Sequence, residues 1–302
     1  MLAYLLWRLA NVMARIVPLR PCYVAASLIA DGTFYFWREK REIAIENMRQ
    51  VLPGAGDATI KRVARQSFRN YAKYLIDFIR WPKIRPEDLE GKIVFDNWAA
   101  IDAAYAECKG VIFVLMHFGN WDMGGLLLNQ RGYAVNVIAE TQEHDKLNDM
   151  IVSARTMAGM RVIPMERSAI PILRVLRRNE ALAILMDRPM AENGIEVRFF
   201  GRRTVLPAGP ARLALRTGAR LLPVALVRLK GTGDRLVALL EPNIRVERTN
   251  DEEHDLRVLT EAMLAAHERF IRRAPDQWYM FRRMWLPLGS PARSEPVLAT
   301  EG

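Results

Sequence analysis

The pattern of apolar and polar positions divides the chain into helices and strands. Residues 57–81 place apolar side chains at helical spacing, which predicts one long amphipathic helix. From Lys109 onward the pattern changes to short apolar runs separated by helical stretches. Residues 111–116 and 181–186 contain no polar position, which is typical of central strands buried on both faces. The predicted strands are VIFVLM, AVNVIA, RVIP, ALAILM, IEVRFF, LLPVALV and RLVALLE.

Strands that alternate with helices predict one α/β domain, in which helices cover a central mixed β-sheet. Residues 231–234 (GTGD) indicate a hairpin turn rather than a phosphate loop, because no helix start follows them. We expect membrane-associating helices over residues 1–40, the main domain over 41–289, and a frayed tail over 290–302, where the residues are small and polar. Helices between the strands are expected at 145–159, 169–178, 209–218 and 252–273.

The first 40 residues are strongly apolar and aromatic but carry charges. Arg8, Arg15, Arg20 and Asp31 limit the charge-free runs to about half of the roughly 18 to 20 residues that a spanning helix needs. A cleaved signal peptide is also disfavoured, because the segment begins apolar and has basic residues spaced through it. Arginines among leucines and aromatics favour an amphipathic helix at a membrane surface. A helix packed on the protein's own core is the alternative.

Composition indicates the sign of the charge that a binding partner would carry. Among 302 residues, 44 Lys plus Arg against 34 Asp plus Glu leave a net charge of +10, which predicts an anionic partner. The hydrophobic share of 51% and the charged share of 26% are typical of a folded chain. Cys22 and Cys108 are too few for a disulfide framework, so a reducing compartment fits best.

Several common functional classes have no signature here. The sequence lacks GxGxxG after a strand, GxxxxGK[ST], HExxH and GxSxG. The four histidines have no metal-ligand spacing, so no metal is expected. The basic residues are dispersed and no recognition motif accompanies them, so nucleic acid is not expected as a partner.

One histidine lies where α/β sheets open their clefts. His117 follows the buried run VIFVLM and begins the segment HFGNWD, ahead of an apolar helical run. Asp122 is placed to accept a hydrogen bond from the imidazole and to fix its tautomer, as a general base requires. Gly119 and Asn120 would lie in a tight turn at a helix N-terminus, with backbone N–H groups facing a developing oxyanion. The alternative is a histidine that only caps this helix.

The segment HFGNWD at a strand end resembles the HX4D/E signature of glycerolipid and lipid A acyltransferases. Residues 43–53 (IAIENMRQVLP) and 274–285 (APDQWYMFRRMW) resemble two blocks of the lipid A biosynthesis acyltransferase family. Residues 186–224, and NWDMGG, are similar to the branch of that family that acylates phosphatidylinositol mannosides in actinobacteria. The resemblance runs in order from Arg41 to Trp285, which is nearly the whole chain.

This resemblance implies transfer of a fatty acyl group from a thioester, on acyl-CoA or acyl carrier protein, to a hydroxyl of a glycolipid. His117 would be the general base and Asp122 would orient it, with no cofactor beyond the acyl thioester co-substrate. The expected acceptor is of the phosphatidylinositol mannoside type, and a lipid A precursor, a lysophospholipid or an aminolipid remain open. The expected location is the cytoplasmic face of the inner membrane, peripheral or shallowly anchored on an anionic surface. A basic lipid-binding module without chemistry is the non-enzymatic alternative.

The resemblance also assigns roles to other residues. Glu140 ends the strand AVNVIA and matches an acidic position near the catalytic histidine, with a solvated carboxylate as the alternative. Arg155 matches the arginine of an RxxxG helix end, where it would bind a phosphate or support the site, or else face solvent. Asp187 and Arg188 follow the strand ALAILM, and converging strand ends would put Asp187 near His117. Asp187 would bind a sugar hydroxyl or order the site, with Arg188 paired to it or bound to phosphate.

Two apolar blocks complete the resemblance. Phe199, Phe200 and Gly201, with residues 207–209, would line an acyl or pantetheine passage, or would form a plain turn and helix start. The aromatic and basic residues from 278 to 285 suit a membrane interface, or alternate within a final strand.

Overall fold

The computed structural model describes residues 12–290 except 14, 15, 81–88, 90, 96, 168, 191–193, 232, 246 and 247. The predictions made for residues 1–11 and for the tail 291–302 lie outside the described residues. The proposed division at residue 40 therefore stays a prediction.

A seven-stranded sheet forms the centre of the fold, as the alternating pattern predicts. Its strands are β1 (Ile93–Val94), β2 (Val111–Leu115), β3 (Val135–Ala139), β4 (Arg161–Pro164), β5 (Ala181–Leu185), β8 (Arg220–Arg228) and β9 (Leu236–Leu240). Their spatial order is β1-β9-β8-β2-β5-β3-β4. Strands β8, β2, β5, β3 and β4 are parallel, whereas β9 is antiparallel to β8 and parallel to β1. The hairpin expected around residues 231–234 is the connection between β8 and β9.

Helices cover the sheet, and a separate hairpin joins β6 (Gly194–Phe199) to β7 (Arg202–Pro207). The predicted helices at 57–81, 145–159, 169–178, 209–218 and 252–273 are confirmed to within two residues at their ends. The helices are α1 (Leu19–Phe36), α2 (Arg38–Val51), α3 (Asp57–Arg80), α4 (Trp98–Ala106), α5 (Trp121–Gln130), α6 (Asp145–Met157), α7 (Ala169–Arg177), α8 (Gly209–Thr217) and α9 (Glu252–Arg273).

Strand β2 shows why its sequence has no polar position. Val111 and Phe113 belong to one apolar cluster, and Ile112 and Val114 belong to another on the opposite face of the sheet. All five residues of β2 are buried. Because successive side chains of a strand point to opposite faces, burial on both faces requires a continuous apolar run.

The C-terminal segment after α9 returns to the edge of the sheet where β2 ends. A short 3-10 turn at Pro275–Gln277 leads into Trp278 and Tyr279, and Trp278 forms an isolated antiparallel bridge with Phe118. Trp278 is completely buried and Tyr279 is nearly so. These two aromatics therefore face the interior, which corrects the expectation that they lie at a membrane interface or in a regular final strand.

No helix within the described part of the chain is long and apolar enough to cross a membrane. Helix α1 is the longest stretch of the predicted N-terminal helices that the structure describes.

Candidate active site

The carboxyl ends of the parallel strands meet at one edge of the sheet and bring the predicted polar residues together. His117 follows β2, Asp187 follows β5 and Glu140 follows β3, while Arg228 ends β8. Clefts of α/β sheets open at such edges. The residues after β2 and β5 are in direct contact, as their positions in the sequence predict.

His117 is held by Asp187. The imidazole Nδ1 lies 2.7 Å from Asp187 Oδ1, and the backbone N–H of His117 donates to Asp187 Oδ2 at 3.0 Å. A third donor, the indole Nε1–H of Trp278, reaches Oδ2 at 3.1 Å. The carboxylate is completely buried. Burial alone would raise the pKa of Asp187, but the charge of His117 and these three hydrogen bonds outweigh it and leave the pKa below its ordinary value.

This contact defines the tautomer that His117 adopts when its ring is neutral. A carboxylate only accepts hydrogen bonds, so Nδ1 carries the proton and Nε2 of the neutral ring keeps its lone pair. Nε2 has no hydrogen-bond partner among the residues that the structure describes, and the side chain keeps 14% of its surface exposed. The arrangement is that of a general base whose free nitrogen remains accessible.

Asp122 does not contact the imidazole as we expected. Its Oδ2 accepts a hydrogen bond from the Tyr74 hydroxyl at 2.6 Å, and its Oδ1 accepts one from Arg155 Nε at 3.0 Å. The residue lies in the first turn of α5, where its carboxylate is directed towards α3 and α6. The orienting role expected of Asp122 is therefore corrected: among the described residues Asp187 is the carboxylate that binds His117.

In the cluster around Asp122, the negative charge of the carboxylate is balanced by the positive charge of Arg155. Burial, followed by the negative charge of Asp122, raises the pKa of Tyr74 well above its ordinary value. Burial opposes the charge on Arg155, but the nearby Asp122 outweighs it and the pKa of Arg155 rises. Arg155 is thus buried against a carboxylate, which agrees with a supporting role and not with a solvent-facing arginine.

Gly119 and Asn120 form the tight turn, but their backbone N–H groups are already bonded. Gly119 N–H donates to the carbonyl of Gln277 at 2.9 Å, and Asn120 N–H donates to that of Leu226 at 2.8 Å. The proposal that they bind an oxyanion is corrected for this reason. Gly119 has φ +66°, and a Cβ there would lie 1.8 Å from the carbonyl oxygen of Leu226, so only glycine fits.

A buried polar network below this turn was missed by sequence reasoning. Asn120 Nδ2 donates to Asp77 Oδ2 at 2.9 Å, and Tyr23 and Arg228 also bind the Asp77 carboxylate. Burial raises the pKa of Asp77. A signal was present, because Asn70, Tyr74 and Asp77 occur at positions i, i+4 and i+7 on the otherwise apolar face of α3. Polar residues at such spacing on a buried helix face indicate partners inside the protein.

Glu140 and Arg188 form an exposed pair at the same edge of the sheet. Arg188 Nη1 donates to Glu140 Oε2 at 2.7 Å, and their side chains are 43% and 52% exposed, respectively. Arg188 therefore pairs with Glu140 and not with Asp187. Within the described part of the chain no hydrogen bond joins either residue to His117, and their exposure leaves both accessible to a polar ligand at this edge.

An apolar cavity lies between the sheet and helices α4 and α5. Phe113, Leu115, Trp121 and Met160 contribute to its wall. Asp122 and Arg155 are the charged residues among its described lining, and they neutralise each other. The Trp121 ring also lies 5.4 Å from the imidazole, so the cavity and His117 share one wall.

The expected passage-lining residues 199–201 and 207–209 are elsewhere. Phe199 and Phe200 are buried against Trp278, at the turn between β6 and β7, and none of these six residues lines the cavity. Their alternative interpretation as a turn and a helix start is the one that the structure bears out.

No group of three or more His, Cys, Asp or Glu side chains within the described ranges is arranged to hold a metal ion.

A partly exposed histidine held by a buried carboxylate, near an apolar cavity, is compatible with acyl transfer from a lipid donor. The profile of the family described as bacterial lipid A biosynthesis acyltransferase matches residues 1–287. The chain belongs to this family and is an acyltransferase, as its motifs predict.

Relatives with curated names show which branch of the family this chain resembles. The chain is 28% identical over 274 residues to the phosphatidylinositol mannoside acyltransferase of Mycobacterium tuberculosis (strain ATCC 25618 / H37Rv), covering 88% of this chain and 84% of that protein. It is 29% identical over 231 residues to the protein of the same name from Mycolicibacterium smegmatis, covering 74% and 72%, respectively. The resemblance to this branch of the family is therefore confirmed.

Proposed function

We propose that the protein transfers a fatty acyl chain from an acyl thioester to a hydroxyl of a phosphatidylinositol mannoside-type glycolipid. The observation that carries this proposal is the His117–Asp187 pair: its Nε2 has no hydrogen-bond partner among the described residues, and its ring lies next to Trp121, which lines the apolar cavity. The names of the relatives support the acceptor class.

The reaction needs one proton carrier. Nε2 of His117 takes the proton from the acceptor hydroxyl as its oxygen attacks the thioester carbonyl. Asp187 stabilises the imidazolium that forms, and the tetrahedral adduct then collapses to an ester. The thiolate of the donor leaves and takes the proton from the imidazolium. His117 returns to its neutral state, and no acyl-enzyme forms.

The donor's acyl chain would occupy the cavity. Its wall is almost entirely apolar, which suits a hydrocarbon chain. The donor is carried on CoA or on acyl carrier protein. Glu140 and Arg188, which lie exposed at the edge of the sheet, would bind sugar hydroxyls or phosphate of the acceptor.

Purified protein would be incubated with radiolabelled palmitoyl-CoA, or with palmitoyl-carrier protein, and separately with phosphatidylinositol mannosides, lipid A precursor or lysophospholipid. We expect transfer to the mannosides and its loss by at least a hundredfold in His117→Ala and Asp187→Asn. His254→Ala is the matched control, because that histidine is exposed at the start of α9. Transfer to one of the other acceptors, and not to the mannosides, would contradict the proposed acceptor class. Absence of transfer with either donor would favour the lipid-binding module.

We also propose that α1 and α3 dock the enzyme on an anionic phospholipid bilayer at the cytoplasmic face of the inner membrane. The outer face of α1 is apolar through an arc of about 140°, at 100° per residue. Large exposed side chains on this face are Val24, Leu28, Ile29, Tyr35 and Phe36. A soluble surface rarely keeps a continuous apolar face of this kind uncovered.

A row of cations borders this apolar face. Arg65 and Arg69 of α3 both bind Asp31, which lies next to Val24 and Tyr35 on the helical wheel of α1. Arg62 and Lys73 fall on the same side of α3. Apolar side chains that enter the acyl region, with cations at the depth of the phosphates, are typical of an interfacial helix.

Sedimentation with vesicles of phosphatidylcholine, with or without phosphatidylinositol, tests the docking surface. We expect Ile29→Ser to weaken binding to both vesicles, whereas Ile170→Ser, at a similarly exposed isoleucine of α7, has no effect. Arg62→Gln with Lys73→Gln should weaken binding to the anionic vesicles alone, by about tenfold or more. Arg212→Gln with Arg216→Gln on α8 is its charge-matched control. Equal losses in test and control variants would contradict this surface.

A further inference from the structure

Asp187 binds more than the histidine. Its Oδ2 accepts the indole N–H of Trp278, a residue 91 positions away in the chain. Trp278 has no solvent-exposed surface, and its ring packs against Phe199, Phe200 and Trp285. A buried indole N–H usually donates a hydrogen bond, and a backbone carbonyl can accept it. The N–H of Trp278 donates instead to the carboxylate that holds His117.

The backbone on either side of Trp278 is fixed to the same site. Tyr279 N–H donates to the carbonyl of His117 at 2.8 Å, and the carbonyl of Gln277 accepts from Gly119 N–H. The side chain of Gln277 bonds both backbone groups of Arg228, at 2.8 Å each. The indole is therefore held in register with the loop that carries His117.

We propose that Trp278 is a positioning residue for acyl transfer, whose indole N–H fixes the orientation and charge of Asp187 and through it the basicity of His117. This inference rests on the proposed function, in which His117 is the general base. It assigns to the C-terminal segment a part in the chemistry and not only in the packing.

The direction of the effect follows from the polarity of the indole. Its N–H presents a positive end to Asp187 and so disfavours a second positive charge on His117. Without this donor the carboxylate stabilises the imidazolium more strongly, and the base becomes protonated at a higher pH. Loss of one hydrogen bond to a charged group is expected to shift the pH at which the base is half protonated by about one unit.

Other titrating groups around the pair do not produce this signal. Burial lowers the pKa of His267, on α9 near Asp187, to about 4, so it is neutral through the usual assay range. Asp122 and Glu140 each have an arginine partner. Burial raises the pKa values of Tyr71 and Tyr279 above their ordinary value. The experiment below is therefore designed to follow protonation of His117.

The test compares Trp278→Phe with Trp285→Phe. Trp285 belongs to the same aromatic cluster, and its indole donates to the backbone carbonyl of Phe199 at 3.0 Å, so the control removes an equivalent bond away from Asp187. We expect the acidic midpoint of the pH–rate profile to rise by about one unit in Trp278→Phe and to stay unchanged in Trp285→Phe. A merely structural role would lower activity equally at every pH.

A second readout does not depend on turnover. The imidazole C2 proton of His117 would be titrated by NMR in wild type and in both variants, where the same upward shift is expected in Trp278→Phe alone. If Trp278→Phe does not fold, benzothienylalanine at position 278 replaces the N–H by sulfur and keeps the bicyclic ring. Unchanged midpoints in both experiments would overturn the proposal. A wild type that titrates as expected but transfers no acyl group would overturn the proposed function instead.

Discussion

Asp122 and Asp187 are both buried carboxylates of the site, yet each compensates a different positive group. Asp187 binds His117, which would gain a positive charge in the proposed reaction, whereas Asp122 binds Arg155, which carries a permanent one. The first pair can change its charge and the second cannot. Loss of Asp187 should therefore affect the chemistry, and loss of Asp122 should mainly affect the stability of the fold.

Asp122→Asn should destabilise the protein by about 3 kcal/mol, because it leaves the guanidinium of Arg155 buried without a counter-charge. The double variant Asp122→Asn with Arg155→Met should recover part of this loss, since the unpaired charge is gone. Denaturant unfolding of the single and double variants measures both values. Additive losses, with no recovery in the double variant, would contradict the interpretation of Asp122 as a charge partner of Arg155.

The sequence predicted one of these two pairs and not the other. Converging strand ends place Asp187 beside His117, because β2 and β5 are adjacent and parallel. The spacing from His117 to Asp122 suggested a contact that the first turn of α5 does not make. The partners of Asp122 come from α3 and α6, 48 and 33 residues away along the chain, and no local pattern indicates contacts over such separations.

At the scale of elements, strand β5 places two alanines on the face of the sheet that borders the cavity. In β5, Leu182 and Ile184 face one apolar cluster, while Ala181 and Ala183 face the side of the cavity. Gly124 and Gly125 of α5 contribute no side chains on that side. Ala183 and these two glycines are among the smallest residues of the cavity wall.

Ala183→Leu should shorten the acyl chain that the enzyme prefers. The larger side chain would occupy cavity volume, and one methylene in an apolar pocket is worth about 1 to 3 kcal/mol of discrimination. We expect the activity ratio of palmitoyl to decanoyl donors to fall at least tenfold, with the thermal midpoint of unfolding unchanged or raised. Ala265→Leu, at an exposed position of α9, is the control. An unchanged ratio in Ala183→Leu would contradict the assignment of the cavity to the acyl chain.

The apolar pattern predicted the strands and most of the helices, because burial on one or both faces leaves a period in the sequence. It did not indicate the cavity, since alanine and glycine are as compatible with close packing as with a void. The aromatic C-terminal segment was also misassigned. Trp278 and Tyr279 are neighbours in the chain and both are buried, so apolar and polar positions do not alternate here. Without such alternation the sequence does not distinguish an irregular internal segment from one that faces a membrane.

At the scale of the molecule, remote parts of the chain close the site together. Asn47 of α2 donates to the carbonyls of Met280 and Arg282, and Asn70 of α3 donates to the carbonyl of Asp276. The helices nearest to the proposed membrane surface therefore hold the segment that carries Trp278. The residues proposed for docking and for catalysis therefore lie in elements that hydrogen bonds join: the first helices, the carboxyl ends of the strands and the C-terminal segment.

Helix α9, which leads into the C-terminal segment, carries a buried group that should make the whole fold sensitive to acid. His267 is completely buried, and burial lowers its pKa from 6.5 to about 4. Between these values the unfolded chain binds a proton that the folded chain excludes, so the free energy of unfolding rises with pH from 4 to 6.5 and is constant above. The difference is about 3 kcal/mol. The lowered pKa of Asp187 acts in another window, because its stabilisation is lost only below the ordinary carboxyl range.

His267→Gln should therefore flatten the pH dependence of stability while leaving a donor for the carbonyl of Val114, which the imidazole Nε2 reaches at 3.1 Å. Denaturant unfolding of wild type and variant at intervals from about pH 4 to 8 gives the two curves. We expect the two curves to run parallel above pH 6.5, where both residues are uncharged. Below pH 6.5 their slopes should differ by an amount that corresponds to the uptake of up to one proton on unfolding. His254→Gln, at an exposed histidine, should follow the wild-type curve. Parallel curves throughout would mean that His267 gains its proton in the folded state without cost.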